Sequence, residues 1–143
     1  MATRSNVAVQ QEDGSFLFIY VHWDGYYEGN GQTLLDHYSD VEKARKLAAL
    51  GDLSVINEEV GEKHDFNNPT KGWTVAYGRD RGESGVAPRV LVDVNAVQRE
   101  FAEQYLYVLL KTEDDAYVWH TLHRDNLIPL VEAMADDTED EDD

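Results

Sequence analysis

The sequence predicts an α+β domain: an antiparallel sheet of about five strands with helices packed on it. Three observations carry that reading. Residues 16–23 are almost all aromatic or β-branched and alternate with the period of a strand. An Asp13-Gly14 turn signal joins them to a second alternating run. Segments with helical spacing, entered through Asp caps, lie between and after the strands without alternating regularly with them.

In order along the chain, residues 6–11 set Val7 and Val9 against Ala8 and Gln10 and meet the stronger strand across Glu12-Asp13-Gly14. Glycine takes positive φ at little steric cost, so the two runs read as a hairpin. Within 16–23, Phe16, Phe18, Tyr20 and His22 share one face, and Leu17, Ile19, Val21 and Trp23 the other. Residues 24–31 then hold three glycines in eight positions. They read as a sharply turning loop with its tyrosines exposed, burial of one of them against the helix being the equal alternative.

Leu34, Leu35 and Tyr38 give residues 32–38 helical spacing, and Ser39-Asp40 offers an N-cap for a second helix. That helix lines up Val41, Ala44, Leu47 and Ala48 and stops at Gly51. Residues 52–56 read as a brief extended segment, 57–70 as an ordered loop, 72–77 as a strand and 78–85 as a mobile polar loop. Asp93 caps a helix over 94–103 with Val97 and Phe101 inward. Residues 105–110 and 116–121 form a second hairpin around the acidic turn 111–115, and Asp125 caps a last helix carrying Leu127, Ile128, Leu130, Val131 and Met134. There is no internal repeat. The organisation is one domain over 1–134, large enough to bury a core without staples, and a disordered acidic tail over 135–143.

Composition narrows the function classes. The 143 residues include no cysteine, which excludes disulfide scaffolds, thiolate metal sites and cysteine nucleophiles. Residues 1–6 lack the apolar stretch of a secretory signal, and no run reaches the roughly 18 apolar residues of a membrane span. A soluble, cytoplasmic protein is expected. Against 12 basic residues stand 29 acidic ones, a formal net charge of -17. Seven of the acids lie in residues 136–143, so residues 1–134 still carry 12 − 22 = −10. A body this acidic repels nucleic acid and anionic membranes and favours a basic protein partner.

No catalytic signature stands out. None of the serines lies in G-x-S-x-G, and the glycine-rich 78–85 loop lacks a phosphate-binding pattern. Lys71, Arg79, Arg81 and Arg89 form a basic island whose plainer reading is charge balance with Asp80 and Glu83. His120 and His123 stand three apart, and His120 is expected to end a strand, which points the two in different directions. His22 and Asp24 share a strand face, so an imidazole–carboxylate pair is open there, with closure of the strand end by hydrogen bonds as the plainer alternative. No cofactor, no metal and no enzymatic activity are expected. The candidate partner-binding residues are Asp24, Tyr26, Tyr27 and Glu28 in the first acidic turn and Glu113, Asp114 and Asp115 in the second, where exposed aromatics beside acids suit a protein contact.

The stretch Y-V-H-W-D-G-Y-Y-E-G-N-G over residues 20–31, followed by T-L-L-D-H-Y over 33–38 and L-A-A-L-G-D-L-S over 47–54, resembles an uncharacterised family of small proteins of tailed bacteriophages and prophages. A weaker echo, T-V-A-Y-G-R-D-R-G over 74–82, extends the likeness to roughly the first 85 residues. This chain departs from the family pattern at Val21, where cysteine is common, and at Tyr27, where proline is. The resemblance implies a context and no catalytic residues. In that context the leading expectation is a phage accessory protein that binds and inhibits a host nucleic-acid-binding protein, its acidic surface imitating the phosphates of a duplex. The alternatives are a metal-binding protein or enzyme using the His22, Asp24 and His37 region, and a structural or assembly factor.

Overall fold

The computed structural model describes residues 2–142, with side chains as far as residue 136. In chain order the elements are β1 (Ser5–Gln10), β2 (Phe16–Val21), a π-helical turn (Tyr27–Gly31), α1 (Gln32–His37), α2 (Val41–Ala49), β3 (Leu53–Val55), β4 (Val75–Ala76), α3 (Tyr77–Arg81), β5 (Arg89–Leu91), α4 (Val94–Glu100), β6 (Tyr105–Lys111), β7 (Tyr117–His123), β8 (Asn126–Pro129) and α5 (Leu130–Asp142). The eight strands form one sheet in the order β4-β3-β2-β1-β6-β7-β8, with β5 also lying against β2.

The α+β class agrees with the sequence, but the sheet is mixed and larger than expected. The β1–β2 and β6–β7 hairpins are antiparallel as the turn signals require. The two hairpins are joined by parallel pairing of β1 with β6, Val7 facing Tyr107 and Val9 facing Leu109. A second parallel contact sets Val21 beside Leu53. Parallel partners meet through long crossovers, so no local signal announces them. The strands expected at 6–11 and 16–23 stand, while that at 72–77 shrinks to the two residues of β4.

The expected last helix also changes. Arg124 and Asp125 both take positive φ, and His123 pairs with Asn126 across them, a two-residue hairpin turn without glycine. Residues 126–129 are therefore strand β8, and the helix begins only at Leu130, after Pro129. Residues 78–81 of the expected mobile loop, with Tyr77 of the expected strand, are helix α3, closed by Gly82 at φ 71°. The expectation of a disordered tail over 135–143 falls largely outside the residues whose side chains are described; the backbone of α5 continues to Asp142.

Both sheet faces are apolar, as the alternation in β2 requires, but they are covered unequally. On one face Val7, Val9, Ile19, Val21, Tyr107, Leu109 and Trp119 pack under Leu34 of α1, Ala44, Leu47 and Ala48 of α2, and Leu130 and Ala133 of α5. Asp40 caps α2 by accepting the Glu42 N–H, and Gly51 closes that stretch at φ 84°, both as the sequence suggests. The opposite face, Ala8, Phe16, Phe18, Leu106 and Val108, is covered by Val97 of the short α4, and Leu110, Leu122 and Leu127 around it are only partly buried.

Candidate functional site

The chain leaves β2 through the most constrained backbone of the molecule. His22 and Trp23 donate their N–H groups to the carbonyls of Leu53 and Ser54, and Asp24 then turns the chain in the left-handed region at φ 60°. A non-glycine residue holds that conformation only when its surroundings demand it. Here they do. Gly25 N–H donates to Thr3 O at 2.8 Å, and a Cβ at Gly25 would stand 2.8 Å from that same oxygen. The Tyr107 hydroxyl donates to Gly25 O at 2.5 Å from the buried centre of β6.

The following π-helical turn, a rare form found often at functional positions, closes the loop. Asn30 N–H donates to Asp24 O at 2.7 Å, and its side-chain amide donates to Trp23 O at 3.0 Å and to Ser5 Oγ. A Cβ at Gly29 would overlap the Asp24 carbonyl, so glycine is a steric requirement there. Tyr27 is buried with its ring edge-on to Tyr105, centroids 5.2 Å apart.

What this frame leaves outside is a platform. Trp23 is 45% exposed and Tyr26 39%, with the exposed carboxylates of Asp24 and Glu28 beside them. The Tyr26 hydroxyl donates to Asp24 Oδ1 at 3.2 Å, and the charges of Asp24 and, more weakly, Glu28 raise its pKa. His22 sets its ring edge-on to Trp23 at 4.7 Å and shares a 2.6 Å hydrogen bond between Nδ1 and the Tyr20 hydroxyl.

Of the seven residues expected to bind a partner, Asp24, Tyr26 and Glu28 are brought together. Tyr27 is in the core, because the backbone that exposes Tyr26 turns its neighbour inward. Glu113, Asp114 and Asp115 are exposed in the β6–β7 turn, at the far end of β6 from the Tyr105 that packs on Tyr27. The acidic residues thus form two separate patches. Trp23 is exposed although it alternates with Leu17, Ile19 and Val21, two of them buried, and only Asp24 leaving the strand conformation signals this.

The alternative constellations resolve into local pairs. His22 bonds Tyr20, not Asp24, and among the described residues no three His, Asp or Glu side chains converge as a metal-ligand set. β7 continues past His120 to His123, whose Nε2 meets Asp136 at 2.8 Å. Within the basic island Arg79 pairs with Asp80 and Arg81 with Glu83, as charge balance requires, and Arg89 pairs with Glu100 instead, while Lys71 makes no ion pair among the described residues. Asp80 is the one buried acid among the described residues. Its burial opposes ionisation, yet bonds from Arg79 and from the Ala76 and His64 N–H groups outweigh that and hold its carboxyl below the ordinary range.

The other acids among the described residues are exposed or, like Asp52, part-buried, and Lys43, Arg45, Lys111 and Arg124 are also paired with carboxylates. No helix among the described residues is long and apolar enough to cross a membrane. No protein-family model, curated protein or solved structure matches the chain.

Proposed function

We propose that the protein is a non-enzymatic binding module that docks its Trp23–Tyr26 platform on a basic surface of a nucleic-acid-handling protein. The observation that carries this is the pairing of two exposed aromatic rings with two exposed carboxylates, one of them accepting from Tyr26, on a backbone that is fixed before any partner arrives. Tryptophan and tyrosine bring large contact area at low conformational cost and dominate protein interfaces. Their faces accept arginine and lysine side chains, which the adjacent carboxylates then neutralise. A fixed loop loses little entropy on binding.

The charge distribution supports the class of partner. With 29 acidic residues against 12 basic ones, the field around the molecule is that of its acidic surplus, which steers it toward the grooves that ordinarily hold phosphate backbones. In the phage context implied by the sequence resemblance, the target is a host protein that handles nucleic acid, and occupation of its groove inhibits it by mimicry of the duplex.

The test is affinity capture from bacterial lysate at low and high salt, with Trp23→Ala/Tyr26→Ala as the comparison. The expected result is one nucleic-acid-binding protein that elutes with salt, loses its own nucleic acid when this protein is added, and binds the double variant about ten-fold or more weakly. Equal retention by the double variant, with its melting transition unchanged, overturns the platform. Capture indifferent to salt overturns the charge argument.

A further inference from the structure

The less covered sheet face carries a groove of about 460 Å³ that the platform does not use. It opens between the start of α4 and the β1–β2, β6–β7–β8 end of the sheet, with Phe16, Val94, Leu110 and Leu127 as apolar walls. That size and lining match small-molecule sites, which run from about 300 to 1,000 Å³ and combine apolar walls with few polar groups. The groove exists because α4, seven residues long, is the one helix among the described residues that packs on this face.

Gln10, Asp93, Lys111 and His120 bring polar groups to the groove, of which His120 lies on the sheet that floors it. The sheet register places His120 between Val108 of β6 and Pro129 of β8. Its Nδ1 lies 2.8 Å from Val118 O, an acceptor, so Nδ1 carries the proton and donates. Nε2 is then a bare lone pair at the groove, with no hydrogen bond among the described residues. Two charged groups flank it. Lys111 stands at the lip, half-exposed, its ammonium 3.4 Å from the exposed carboxylate of Asp115. Asp93 stands at the opposite rim, its carboxylate engaged as the cap of α4 through the Ala96 N–H.

We propose that this groove binds a small apolar molecule bearing a carboxylic acid. The acid binds together with one proton, taken up from water when the free acid is ionised, so that its O–H donates to His120 Nε2, with the Lys111 ammonium also at the groove as a counter-charge. The apolar body lies along Phe16, Leu110 and Leu127. Since the groove sits at the β1–β2 turn, the other end of β2 from Trp23, either site can fail without the other.

The experiment is an amide NMR titration of the whole chain with decanoate, decanol and decylamine, each below its micelle threshold. Expected are saturable shifts at Phe16, Val94, Leu110 and Leu127, with decanoate binding about ten-fold more tightly than decanol or decylamine. His120→Phe, which keeps the floor apolar, abolishes that preference while decanol still binds. Leu127→Trp, which fills the groove, abolishes binding of all three. No saturable shift at the groove with any probe, equal affinity for the acid and the alcohol, or a preference that survives in His120→Phe overturns the proposal.

Discussion

The two acidic turns at opposite ends of the sheet show how differently similar composition can be held. The turn after β2 has Asp24 and Glu28, and the β6–β7 turn has Glu113, Asp114 and Asp115. The first is pinned from four directions: by Thr3, by Tyr107, by the Asn30 side chain and by the exclusion of any Cβ at Gly29. The second closes on itself, with the Thr112 N–H and hydroxyl both donating to the Ala116 carbonyl, Asp115 at φ 63°, and one exposed Lys111–Asp115 pair. Charge alone needs no such frame. The frame around residues 23–31 holds Trp23 and Tyr26 outside, and this makes the first turn the stronger interaction site.

The sharpest way to break the comparison is Gly29→Ala. The new methyl overlaps the Asp24 carbonyl and forces apart the Asn30 N–H to Asp24 O bond. Overpacking of this kind costs roughly 2–3 kcal/mol. Urea unfolding should show a lower midpoint by that amount, and the Trp23 fluorescence should report a rearranged surface. A loss below about 0.5 kcal/mol, the range of ordinary surface changes, means the turn yields easily and is no fixed platform.

The same contrast explains what the sequence did and did not disclose. The β1–β2 and β6–β7 hairpins, the Asp40 and Asp93 caps and the stop at Gly51 are local chemistry, and each is where the residues place it. Parallel β1–β6 pairing is not local, and β5, beside β2, is only three residues long. The strand at 126–129 was hidden because Arg124 and Asp125 take left-handed conformations that glycine or asparagine would have advertised. At the site, the clustered glycines of 24–31 marked a special turn, but which tyrosine faces solvent depends on a π-helical turn and on Tyr105 and Tyr107, some 80 residues away. Periodicity carries no information on that.

A smaller effect is expected for Tyr107→Phe. The ring still fills its place in the core, but the Gly25 carbonyl loses the hydroxyl that donates to it. An unsatisfied buried acceptor costs about 1–3 kcal/mol, and the variant should sit at the lower end because Gly25 keeps its N–H bond to Thr3. If that loss also weakens partner binding, the platform's rigidity contributes to affinity. If stability falls and affinity does not, the aromatic rings act without preorganisation.

The smallest effect belongs to the second turn. Glu113→Gln, Asp114→Asn and Asp115→Asn together change the formal charge from -17 to −14. Asparagine tolerates the left-handed conformation at position 115, and the exposed Lys111–Asp115 pair it removes is worth little. Stability should stay within about 0.5 kcal/mol in urea unfolding. Affinity for the partner should fall less than about three-fold, mostly through a slower association rate at low salt, since distant surface charge steers encounter more than it holds a complex. A loss as large as that of the Trp23→Ala/Tyr26→Ala variant would place the contact on the charge of the whole acidic surface, and the pinned turn after β2 would then be one contributor among several.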